Sequence, residues 1–146
     1  MKRILALALI FTCLVSGSPA QEAVPVRFTT IDVLVDSGDT PLAAWQVEMV
    51  TKAGSVEIVG IEGGEHPAFV EPPYYDPAAM ANDRVILAAF STGKDLPHGR
   101  VRVARVHVQV SGGVEPKYEA KLVTAGSIDG KPIPATVSVQ TQGERE

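Results

Sequence analysis

Between Val56 and Pro77 the chain reads VEIVGIEGGEHPAFVEPPYYDP, a span with five carboxylates, one histidine, two tyrosines and a Gly-Gly pair. Such a mixture could build an active site, a metal site, or a turn and surface loop between two strands. Spacing argues for the loop. Glu57 alternates with Val56 and Ile58, which places it on the solvated face of a strand. Glu62-Gly63-Gly64-Glu65 ends that strand, and the glycines are expected to supply positive φ for a sharp turn. Asp76 stands before Pro77 and a run of small residues, where a carboxylate caps a helix. Calcium needs six to eight converging oxygens, usually from a DxDxDG-like loop. The nearest approach, DSGD at 36–39, reads as a β-turn.

The other residues capable of chemistry are scattered. His66, His98 and His107 lack the spacing of zinc ligands. Ser91 and Lys94 imitate an SxxK pair, but here the pair ends a strand, whereas that motif works from a helix. Neither a GxSxG elbow nor a GxxxxGK[ST] phosphate loop occurs. The expectation is a chain with no catalytic residues, no metal site and no cofactor.

Aromatic side chains are scarce in this sequence, yet Phe69, Tyr74 and Tyr75 fall within seven residues of a proline-laden loop. They could plug the end of a sandwich, the reading favoured for Phe69. They could also form a recognition surface, because rigid aromatics give large contact area at low ordering cost. Phe69, Tyr74 and Tyr75 are the candidate binding residues.

The elements that would position them repeat with a period of two. Trp45, Val47 and Met49 alternate with Gln46 and Glu48, a half-buried strand that puts Trp45 in the core. Val24, Val26 and Phe28 run in one phase and Ile31, Val33 and Val35 in the other. Val101 and Val103 likewise precede Val106, Val108 and Val110. A change of phase predicts a bulge or a strand changing sheet. Further strands are expected at Val56 to Ile61, at 84–91 (apolar on both faces, hence central), and as a late pair, Tyr118 to Ala125 and Thr136 to Thr141. Asp129-Gly130 supplies a turn between the last two. About eight strands without βαβ alternation imply an all-β, antiparallel β-sandwich with one short helix in a loop, starting at Pro77.

The N-terminus sets the expected compartment. Lys2 and Arg3 precede an apolar run, Ile4 to Val15, and a small-residue site, Ser18-Pro19-Ala20. This reads as a signal peptide, residues 1–20, exporting the chain to the periplasm or medium without membrane insertion after cleavage. Cys13, the single cysteine, lies inside the apolar run and would leave with it. The domain is expected over 21–140, with a disordered tail at 141–146. Without Lys2 and Arg3, 11 basic residues face 17 acidic ones, a balance of −6 that argues against nucleic acid and anionic membranes.

Two stretches carry a resemblance. TPLAAWQVEMVTKAGSVEIVGIEGGE (40–65) is similar to the part of cohesin domains where an L-A-A-[FW] strand leads to an apolar strand and a Gly turn. VILAAFSTGKDLPHGRVRVARVHVQVSG (85–112) resembles the later cohesin pattern, an apolar strand, a Leu-Pro-x-Gly turn and a valine-rich strand ending at Gly. The resemblance implies a jelly-roll sandwich of eight or nine strands and an exported, non-catalytic module that binds a protein partner. The rival reading is a carbohydrate-binding module of the same fold, with a polysaccharide as ligand.

Overall fold

The computed structural model describes residues 20–142. The expected signal peptide, Cys13 and the tail beyond Gln142 lie outside the described residues. Among the described residues seven strands form: β1 (Val26–Asp36), β2 (Ala44–Ala53), β3 (Ser55–Gly63), β4 (Arg84–Phe90), β5 (Arg100–Ser111), β6 (Lys117–Gly126) and β7 (Thr136–Thr141). They make two antiparallel sheets, one ordered β3-β5-β1-β7 and the other β4-β2-β6. Consecutive strands always lie in different sheets. The β2–β3 corner is a single residue, Gly54, at φ +85°. Among the described residues no helix is long and apolar enough to cross a membrane.

The two sheets share one core. Ile31, Val33 and Val35 of β1 meet Trp45, Val47 and Met49 of β2, with Leu87 and Val106 beside them, all fully buried. Period-two alternation produces this sandwich-like packing, because each strand turns its apolar row inward and its polar row to water.

The structure corrects several expectations. The strands among the described residues number seven, and the helix expected after Asp76 is only a 3₁₀ turn, Pro77–Ala79, preceded by another at Pro67–Phe69. Proline at the first position and the Asp76 cap start the turn, but Met80 is already extended. The phase change in β5 is a bulge at Val103, where Val33 faces Ala104 and Leu34 faces Arg102. The phase change in β1 is not one. That strand runs evenly from Val26 to Val33, and Val26 and Phe28 are apolar residues on its solvent face.

β6 and β7 do not pair as a hairpin; they belong to different sheets. The expected turn forms, with Gly130 at φ +76° and its amide on the Ser127 carbonyl at 3.0 Å. Pro132 and Pro134 then deny the following segment two ladder donors, and it crosses to the other sheet. β4, expected to be central, is an edge strand of the three-stranded sheet.

Gly63 and Gly64 are not positive-φ residues. Their need for glycine is spatial. A Cβ on Gly63 would lie 2.1 Å from the Val70 carbonyl oxygen, and one on Gly64 would lie 2.4 Å from the Arg102 carbonyl oxygen. The loop that follows is therefore laid directly on the end of the sheet.

Candidate recognition surface

The loop from Gly63 to Asp83 is fastened along its length. The Gly64 amide donates to the Phe69 carbonyl at 2.6 Å, and His66 Nδ1 accepts the Ala68 amide at 3.1 Å. Glu65 exchanges with Arg102, its amide donating to the Arg102 carbonyl and its Oε1 accepting the Arg102 amide, both at 3.0 Å. Asp76 Oδ1 accepts the Ala78 amide at 2.9 Å. The far end returns to β3, where Ala81 donates to the Ile58 carbonyl at 2.8 Å. Most of the polar groups in this stretch thus have structural employment.

The three candidate aromatics part company. Phe69 is 3% exposed and meets the Trp45 ring edge to face, centroids 6.2 Å apart at 78°, so it plugs the core and offers nothing to a partner. Tyr75 is half-buried and packs on the same core. Tyr74 is 71% exposed. Alternation separates the two tyrosines, because neighbouring side chains on extended backbone take opposite faces, whereas Phe69 ends a 3₁₀ turn.

Tyr74 sits against β4. Its amide donates to the Ala88 carbonyl at 2.7 Å and its carbonyl accepts the Ala88 amide at 3.0 Å, so one residue of the loop extends the three-stranded sheet. Its ring lies 6.3 Å from that of Phe90, within 11° of parallel, and Phe90 is 65% exposed. Register places Phe90 beside Ala44, and Ala88 beside Gln46, on the outer face of that sheet. Ile86 continues the exposed apolar row, and the Glu48–Arg84 pair (2.6 Å) borders it with charges that cancel.

Phe90 was not among the sequence candidates. The available signal was the strand at 84–91, apolar on both faces: a strand buried on both sides and an edge strand with an apolar solvent face give the same pattern.

The outer face of the four-stranded sheet is of another kind. Arg105 holds Asp32 with two bonds, 2.6 and 3.0 Å, and His107 Nε2 lies 3.1 Å from Glu62. The Asp32 hydrogen bond raises the Arg105 pKa despite partial desolvation, keeping this charge fixed. Asp32 and Arg105 neutralise each other across the strands, as opposed charges at facing positions do. Among the described residues, no three His, Cys, Asp or Glu side chains are placed to hold a metal ion. The chain matches no protein-family model, no curated protein and no solved structure.

Proposed function

We propose that this chain is an exported, non-catalytic binding module on a cohesin-like, jelly-roll scaffold, and that it engages a protein partner through the outer face of the three-stranded sheet. The observation that carries the reading is the exposed Tyr74–Phe90 pair, held by the two backbone bonds between Tyr74 and Ala88. Aromatic anchors whose backbone is already fixed lose little entropy on binding. Export rests on the sequence of residues 1–20, and the scaffold on the stretches at 40–65 and 85–112.

A second reading draws on one feature of the same site. Two exposed rings within 11° of parallel can also stack against sugar rings, so a polysaccharide is the alternative ligand. Both readings use the same two side chains, and one experiment separates them. The parent and the Tyr74→Ala/Phe90→Ala double variant are used to capture proteins from the native secretome and are run by affinity electrophoresis through soluble glycans. A protein held by the parent and lost by the equally stable variant supports the first reading. Glycan retardation lost in the variant supports the second, and identical behaviour of the two proteins overturns both.

A further inference from the structure

β1 is covered by β7 along only half its length. Their register runs from Asp36↔Thr136 to Ile31↔Thr141, and Gln142 adds one more bond, its amide donating to the Thr30 carbonyl at 3.1 Å. That bond also shows which way the β1 backbone points. In an antiparallel ladder the N–H and C=O of one residue face the same neighbour, and alternate residues face the same side. Thr30 therefore shares its side with Phe28 and Val26, while Pro25 points the other way, accepting the Gly112 amide at 2.9 Å. Among the described residues no strand lies beside Val26–Thr29 on that side.

Beside this open edge the gap between the sheets stays open as well. A groove of about 350 Å³ is lined by Glu115, Pro116, Lys117, Tyr118, Val139 and Thr141. Val139 and Thr141 are the inward row of β7, facing Val33 and Ile31. The Tyr118 hydroxyl in the wall is buried and has no hydrogen-bond partner among the described residues. Arg27, which shares the inward phase of β1, reaches Glu115 at 2.7 Å.

We propose that this half-edge is a second binding site, which takes an extended segment of another protein as an added strand continuing the line of β7, antiparallel to β1. The amide and carbonyl groups of Val26 and Phe28, which pair with no strand among the described residues, call for an extended polypeptide, since only a strand presents donors and acceptors at that repeat. Side chains fix its pattern. The residue opposite Thr29 continues the row of Val139 and Thr141 over the groove, and it should be apolar. Two positions later the residue faces Arg27, where Arg27 and Lys117 outnumber Glu115, and it should be acidic. The sequence after Gln142, Gly-Glu-Arg-Glu, offers no apolar side chain and would set an arginine opposite Arg27. A foreign segment fits the pattern better.

The test is an amide NMR titration of the full chain with the peptide acetyl-Val-Thr-Glu-Thr-Lys-amide, with hydrogen exchange read at Val26 and Phe28. The expected result is at least tenfold slower exchange at both amides on saturation, with the Tyr74 and Phe90 signals unmoved. Phe28→Pro removes one donor on the open side only, a change that edge strands tolerate, and should weaken the peptide at least tenfold with little loss of melting temperature. Should that variant unfold, Val26→Pro at the first strand position serves instead. Peptide shifts that avoid β1, or equal binding by the folded proline variant, overturn the proposal. So does slow exchange at both amides in the free protein: in a sedimenting monomer the chain's own following residues cover the edge, and in a dimer a second copy does.

Discussion

Tyr74 and Ala88 exchange two backbone hydrogen bonds, of 2.7 and 3.0 Å, and through them a proline-rich loop closes part of the free edge of β4. One pairing does two jobs. It covers backbone groups that would otherwise invite edge-to-edge association, and it fixes the tyrosine ring beside Phe90 on the solvent side.

The loop reaches that edge only because Gly63 and Gly64 let it lie against the sheet end. The atoms that an added methyl would strike at either position belong to the main chain, which cannot swing aside. Gly63→Ala and Gly64→Ala should each destabilise the fold by about 1–3 kcal/mol, the usual range for overpacking. Gly113→Ala, where a Cβ meets open space at ordinary φ, should leave the stability within about 0.5 kcal/mol of the parent. Urea melts of the three variants check the contrast.

Trp45 and Phe69 hold the other side of the loop. Trp45 is 2% exposed and Phe69 packs on its ring. Trp45→Ala should cost about 3–5 kcal/mol, and Phe69→Ala a similar amount, as for other emptied aromatic sites. The two losses should not add, because the rings touch. Denaturant midpoints of both single variants and the double variant measure the coupling.

Tyr118 makes the fold sensitive to alkali. Burial pushes its hydroxyl above the ordinary value of 10.0, with Arg27 opposing that shift and Glu115 adding to it. The unfolded chain ionises first as pH rises, so this contribution is whole below about pH 10 and is lost as pH climbs through the folded value. Melting temperature should fall more steeply above pH 10 in the parent than in Tyr118→Phe. Matching curves would show that the hydroxyl titrates as it does in water.

Much of the sandwich was legible in the sequence because alternation is a local signal. Trp45, Val47 and Met49 are buried as their period demands, and Asp76 caps the turn that its neighbours suggest. Pairing between strands is not local. The sequence shows Asp129-Gly130 as a turn but not that β6 and β7 separate after it, since the turn signal is the same for a hairpin and for a crossover. Phe28 and Phe90 mislead for a related reason. An apolar side chain on the solvent face carries the same residue identity as one in the core, and only the partner strands decide between them. The candidate surface was half visible: Tyr74 stood out by its proline-rich setting, while Phe90 was hidden in a strand that read as central.

The central claim is tested most directly by titration calorimetry of a protein captured by the parent chain, measured against parent and the Tyr74→Ala/Phe90→Ala double variant. The two rings are exposed, so the variant should melt close to the parent. Truncating a true anchor costs about 2 kcal/mol or more, so affinity should fall by roughly thirtyfold or beyond. An unchanged dissociation constant, in a variant that melts with the parent, would contradict the account and move the site off this face.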